Sequence, residues 1–100
     1  MTPNARSVAL LELEGYKADI VERRITRIVT KDFLGCLDVI GMRKGQTIGV
    51  QTTTADHFAN RRRKLQASPM LPWMIGAGWR IEVHGWREKD GEWIVRREAL

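Results

Sequence analysis

The sequence has few of the features that indicate a membrane protein, a disulfide scaffold or a zinc cluster. Cys36 is the only cysteine in 100 residues, which excludes an internal disulfide and a cluster of thiolate ligands within one chain. No apolar run approaches the roughly 20 residues needed to cross a bilayer, and no signal-peptide apolar region stands at the N-terminus. The sequence therefore predicts no membrane partner and a reducing, cytoplasmic setting.

The composition is that of a folded domain with excess positive charge. Apolar residues make up 43% of the chain, and 100 residues are enough for one hydrophobic core but not for two. We therefore predict a single domain over residues 1–100. Lysine and arginine number 17 against 12 acidic residues, which gives a net charge of +5. This excess favours a polyanionic partner such as nucleic acid, although a basic protein without such a partner can have a similar charge.

The first half of the chain predicts a helix followed by three strands. Ser7 is placed to cap a helix that runs through Leu13. The β-branched residues of the segment 16–28 predict an edge strand. Two apolar segments, 33–42 and 47–53, predict a hairpin of buried strands.

The second half predicts a helix and a further hairpin. Thr54 or Asp56 can cap a helix that runs to about Ala67, before a proline that ends it. After a loop or short helical piece, alternating apolar and polar residues predict two strands that are joined by the turn Asp90-Gly91. The predicted order is therefore αβββαββ.

Asp38 is the most informative residue, because it lies on an apolar strand face where an unpaired carboxylate would be costly. Such a carboxylate is usually held by a salt bridge or by hydrogen bonds, or it binds a metal ion. A turn centred on Lys44 and Gly45 sets Asp38 opposite Gln51, and Thr53 projects from the same face as Gln51 because side chains alternate along a strand. The hairpin therefore predicts one polar cluster of Asp38, Gln51 and Thr53.

The arrangement of this cluster resembles the PD-(D/E)XK nuclease superfamily. The residues that carry the resemblance are Asp38, the short hairpin, and Gln51-Thr52-Thr53, with a helix before them and a basic helix after them. The segments 30–35 and 77–83 are also similar to small phage-encoded members among the Holliday junction resolvase-like and virus-type replication-repair nucleases. The resemblance covers about residues 7–98.

The resemblance implies a fold, an activity and a setting. The fold is an α/β restriction-endonuclease-like αβββαββ core, in which helices flank a central mixed sheet. The activity is hydrolysis of DNA phosphodiester bonds with Mg²⁺ or Mn²⁺ as cofactor. By the same analogy we expect a homodimer in the cytoplasm of a bacterial or phage-infected cell.

The resemblance also assigns roles to residues. Asp38 matches the first metal-binding aspartate, Gln51 matches the second acidic position, and Thr53 stands where the family has its lysine. A threonine hydroxyl can orient water but cannot supply the positive charge of that lysine. Glu12 is a candidate further metal ligand, with Glu14 and Asp32 as alternatives. Simple solvation is the competing interpretation for each of these three carboxylates.

The basic helix is the candidate nucleic-acid contact. His57, Arg61 and Lys64 share one helix face, which we predict contacts phosphate, and a solvated face is the alternative interpretation. Lys31 is a further candidate, and either Lys31 or Lys64 is a candidate substitute for the missing lysine. Thr53 leaves a second function open, in which a nuclease-like fold has lost catalysis and serves as a DNA-binding or assembly protein.

Overall fold

The structure is a computed structural model that describes all 100 residues. It is a compact α/β domain with a five-stranded sheet, a separate two-stranded hairpin and helices. The helices are α1 (Pro3–Leu13), α2 (Phe58–Gln66) and α3 (Leu71–Gly76), and a 3₁₀ turn, Ala55–His57, precedes α2. The strands are β1 (Lys17–Ile20), β2 (Arg23–Arg24), β3 (Thr30–Lys31), β4 (Val39–Arg43), β5 (Gln46–Thr54), β6 (Arg80–Lys89) and β7 (Glu92–Ala99).

The main sheet is mixed and has the strand order β1-β4-β5-β6-β7. Strands β1, β4 and β5 form an antiparallel meander. The chain then passes through α2 and α3 and returns as β6, which lies parallel to β5, as a strand after a helical crossover can. The hairpin turn Asp90-Gly91 leads into β7, which pairs antiparallel with β6 as predicted. The coarse prediction of an α/β fold with a mixed sheet is confirmed.

Both faces of the sheet are covered by helices, and each face has its own apolar core. The cluster beneath α1 consists of Leu11, Tyr16, Val39, Ile48 and Val50. The cluster beneath α2 and α3 consists of Cys36, Leu37, Phe58, Leu65, Met74, Ile81 and Val83. Gly85 allows close packing on this second side, because a Cβ there would lie 2.7 Å from a ring atom of Phe58.

The first helix begins earlier than the sequence pattern predicted. Its N-cap is Thr2, whose side chain accepts a hydrogen bond from the backbone N–H of Ala5, and Pro3 occupies the first helical position. The prediction that Ser7 caps the helix is wrong. Ser7 lies inside the helix, is fully buried, and its hydroxyl contacts His84 and Trp86.

Two of the predicted strands are shorter than expected. The predicted strand 16–28 ends at Ile20, and the chain then forms the small β2–β3 hairpin. The predicted strand 33–42 begins only at Val39, because Leu34 and Gly35 take left-handed conformations with φ values of 53° and 73° and form a tight turn. No helix in the structure is long and apolar enough to span a membrane.

Candidate metal centre and nucleic-acid interface

Asp38 and Gln51 meet at the end of the sheet where β4 begins and β5 approaches its end. The register of the hairpin pairs Met42 with Thr47 and Val39 with Val50. Asp38 Oδ2 accepts a hydrogen bond of 2.9 Å from Gln51 Nε2 and one of 2.9 Å from the backbone N–H of Thr52. The predicted cross-strand pairing of Asp38 with Gln51 is therefore confirmed.

An open polar cavity of about 700 Å³ lies at this end of the sheet. Asp38, Gln51 and Thr53 all line it, so the structure brings the three predicted residues together. None of the 15 lining residues is hydrophobic. The others are Thr2, Pro3, Asn4, Glu22, Thr30, Lys31, Asp32, Gly35, Thr52, Thr54, Arg61 and Lys64.

Three carboxylates converge in this cavity. Oxygens of Glu22, Asp32 and Asp38 lie within 4.8 Å of one another, which is close enough for one metal ion to contact all three. Glu22 arrives there because the backbone N–H groups of Val21 and Glu22 both donate to the carbonyl oxygen of Asp38, at 2.8 and 3.3 Å. Asn4 Nδ2 then donates to Glu22 Oε2 at 2.6 Å and fixes the side chain.

Asp38 is held in an environment that disfavours its negative charge. Burial raises the pKa of the Asp38 carboxyl from 3.8 to about 7, and the nearby carboxylates of Asp32 and Glu22 add to the rise. The hydrogen bond from the backbone of Thr52 opposes the rise but does not cancel it. A cation in the cluster would relieve both the burial of charge and the repulsion.

The helix-borne glutamates do not take part in the carboxylate cluster. Glu12 is exposed and does not line the cavity, in contrast to its predicted role as a metal ligand. Glu14 instead pairs with Arg97, which lowers the pKa of Glu14. Asp32, the third candidate, does join Asp38. Glu22 was not among the predicted ligands, because its segment has the pattern of a continuous strand and nothing in the spacing indicates a bend there.

Three cations line the same cavity as the three carboxylates. Lys31 lies in β3 of the small hairpin, and Arg61 and Lys64 come from one face of α2, so these three predicted contacts share one surface. His57 does not line the cavity. Its exposed ring lies 3.6 Å from the carboxylate of Asp56. The cavity therefore offers oxygen ligands for a cation and positive charge for an anion within the same space.

A second polar network lies under α1, away from the cavity. His84 bridges the hydroxyl of Ser7 and the carboxylate of Glu82, with both hydrogen bonds at 2.9 Å. The order of serine, histidine and acid resembles a hydrolase triad, but Ser7 and His84 are fully buried, and no substrate can reach the hydroxyl. The Trp86 indole also donates to Ser7. We therefore assign this network to the core.

In comparisons with known proteins, no family model, no curated protein and no solved structure matches the chain.

Proposed function

We propose that this protein is a metal-dependent nuclease of the PD-(D/E)XK type that hydrolyses phosphodiester bonds in DNA. The observation that carries the proposal is the joint position of three carboxylates and three cations in one polar cavity. A cluster of acids alone is common on protein surfaces. The same cluster next to Lys31, Arg61 and Lys64 suits an anionic substrate that reacts at a metal ion held by the carboxylates.

The donor atoms fit Mg²⁺ or Mn²⁺. Both ions prefer oxygen ligands, and the side chains of Glu22, Asp32 and Asp38 offer carboxylate oxygens. Gln51 donates to Asp38 through its amide nitrogen, so its carbonyl oxygen is the atom that it can offer to a cation. A bound divalent cation supplies polarisation of a phosphoryl oxygen and a more acidic water molecule.

The residues of the chain divide the remaining work between them. Lys31, Arg61 and Lys64 bind and orient the phosphodiester through charge-assisted hydrogen bonds. Lys64 or Lys31 takes the place of the family's lysine, because the Thr53 hydroxyl can position water but carries no charge. Thr52 and Gln51 hold the Asp38 carboxylate in place.

The topology supports the same proposal. An antiparallel meander followed by a helix and a parallel strand agrees with the expected αβββαββ order. Asp38 precedes the second strand of the meander, and Gln51 and Thr53 lie in the third. We therefore propose that the domain has the restriction-endonuclease-like core.

A cleavage assay tests the proposal. Purified protein is incubated with linear, single-stranded and branched DNA while Mg²⁺ or Mn²⁺ is titrated, and Asp38→Asn is compared with Asp19→Asn. Asp19 is exposed and lies outside the cavity, so it provides a matched control for the same chemical change. We expect cation-dependent cleavage that Asp38→Asn abolishes and Asp19→Asn leaves unchanged. Full activity of Asp38→Asn would exclude this site.

A second candidate function follows from Thr53. If no cation supports cleavage, the domain is a DNA-binding or assembly protein with a nuclease-like fold, since the charge of the family's lysine is missing from β5. Binding would then be salt-sensitive and independent of the metal. Charge reversal at Arg61 and Lys64 would weaken binding to every DNA sequence to a similar extent. The cleavage assay separates the two functions, because the binding protein shows no cleavage with any divalent cation, although it still binds DNA in chelator.

A further inference from the structure

The small β2–β3 hairpin projects from the rim of the cavity and has an unusual surface. We define the basic hairpin as residues 23–31, with the sequence RRITRIVTK, which contains four cations and no acid. Its apolar side chains are exposed: Ile25 by 53%, Ile28 by 93% and Val29 by 47%. Grouped aliphatic exposure beside clustered charge of one sign indicates a surface that binds a partner.

The tip of the basic hairpin is ordered by its own hydrogen bonds. The backbone N–H of Ile25 donates to the carbonyl oxygen of Val29 at 2.9 Å. Thr26 Oγ1 accepts from the backbone N–H groups of Ile28 and Val29 at 3.3 and 3.1 Å. These hydrogen bonds form within the hairpin, and its exposed aliphatic side chains belong to neither hydrophobic core. The hairpin therefore presents a preformed shape to a partner.

The base of the basic hairpin is attached to the acidic cluster. Glu22 immediately precedes the hairpin and Asp32 immediately follows it, and both carboxylates belong to the cluster with Asp38. A molecule that binds the hairpin is thereby placed at a fixed distance from the candidate metal centre. The hairpin is short, since strand pairing covers only Arg23–Arg24 and Thr30–Lys31, and the five residues between them form its tip.

We propose that the basic hairpin enters the major groove of duplex DNA and positions one strand at the acidic cluster. This inference rests on the proposed function and names its substrate as a duplex. A two-stranded ribbon fits the width of the major groove, where the methyl group of thymine offers an apolar contact. Arg23 and Arg27 contact phosphates on the groove walls, and Ile28 packs against thymine methyl groups. Charge favours DNA over a second copy of the chain, since two basic hairpins repel each other.

The first experiment measures the contact of Ile28 with thymine. Wild-type protein and Ile28→Ala are titrated by fluorescence anisotropy, in chelator, against two duplexes that differ only in thymine or uracil. We expect the wild type to bind the thymine duplex about three- to fourfold more tightly, because this is the gain in affinity from burying one methyl group. Ile28→Ala should bind both duplexes equally. Equal binding by the wild type would overturn the contact.

The second experiment measures the phosphate contacts. Arg23→Gln/Arg27→Gln is compared with Lys17→Gln/Lys44→Gln, which removes the same charge from exposed positions at the opposite end of the β4–β5 hairpin. We expect the arginine pair to reduce the slope of log affinity against log salt by about 2 and the lysine pair to leave it nearly unchanged. Equal effects of the two pairs would mean that only the net charge of the protein affects DNA binding, and this would overturn the assignment of Arg23 and Arg27 to phosphate contacts.

Three further outcomes separate this inference from its alternatives. If sedimentation shows a dimer that Ile28→Ala dissociates, while DNA binding is unchanged, the hairpin is a contact between copies and the inference is wrong. If cleavage requires Asp38 but hairpin variants bind and cut DNA normally, the nuclease proposal stands and the hairpin inference fails. If hairpin variants weaken binding in a protein that never cuts, the hairpin contact stands and the nuclease proposal fails.

Discussion

Replacing Asp38 with asparagine should stabilise the protein in the absence of divalent cations. The pKa of the Asp38 carboxyl rises from 3.8 to about 7 on folding, so the folded state favours the protonated form. The stability that this group contributes is fully present below pH 3.8 and is lost as the pH rises through about 7. A difference of about three pKa units corresponds to about 4 kcal/mol at pH values well above 7. An asparagine oxygen can still accept the hydrogen bonds from Gln51 and Thr52 without carrying charge.

The assay is thermal and chemical unfolding at pH 8.5 and at pH 5, in chelator and in millimolar Mg²⁺. We expect Asp38→Asn to raise the free energy of unfolding by at least about 2 kcal/mol at pH 8.5, or roughly 10 °C in melting temperature for a domain of this size. At pH 5 the difference should be smaller, because the folded wild-type carboxyl is then protonated while the unfolded one is already ionised, and it should vanish only below about pH 3.8. Mg²⁺ should stabilise the wild type but not the variant. An asparagine variant that is less stable at pH 8.5 in chelator would refute the reasoning.

Three further predictions concern charge and packing. Lys64→Gln should lower the cleavage rate at least about tenfold and leave the Mg²⁺-induced rise in melting temperature unchanged, whereas Lys44→Gln should change neither; equal rates for both variants would remove Lys64 from the site. Gly85→Ala should destabilise the fold by about 1–3 kcal/mol, because its Cβ would meet the buried ring of Phe58, and denaturant unfolding measures this. Burial opposes ionisation of Glu82, but hydrogen bonds and charge lower its pKa from 4.5 to about 2. The ionised Glu82 carboxylate should therefore contribute about 3 kcal/mol to the free energy of unfolding above pH 4.5, and this contribution should be lost as the pH falls through 2. Glu82→Gln should lack it at pH 7. A free energy of unfolding that the substitution leaves unchanged would contradict the prediction.

The part of the site that lies in regular strands could be predicted from the sequence. Lys44 and Gly45 mark a hairpin turn, and once the turn is fixed, the alternation of side chains sets Asp38 opposite Gln51. The same reasoning placed Thr53 on the cavity side. Both steps depend only on local geometry, which a single sequence contains.

The part of the site that depends on irregular chain could not be predicted in this way. Glu22 reaches Asp38 because the chain bends after Ile20 and donates two backbone hydrogen bonds to the Asp38 carbonyl, which is a long-range contact. The segment 33–37 has the composition of a strand, yet left-handed residues turn it back on itself. The start of α1 was likewise not predicted, because Ser7 carries a cap signal of its own, whereas Thr2 caps the helix and Pro3 occupies its first position.

The basic hairpin is flanked by Glu22 and Asp32, which are two members of the carboxylate cluster. Binding of an ion to the cluster is therefore coupled to the conformational freedom of the hairpin. Glu22 and Asp32 are separated by nine residues in sequence, and both approach Asp38 in the polar cavity. An ion bound by both carboxylates would therefore hold the two ends of this short loop together and reduce its freedom to open. Without the ion, the proton that Asp38 retains up to about pH 7 reduces the repulsion among the three carboxylates. The ion would thus have two effects, since it would supply chemistry in the cavity and hold together the two ends of a hairpin whose tip is already ordered by its own hydrogen bonds.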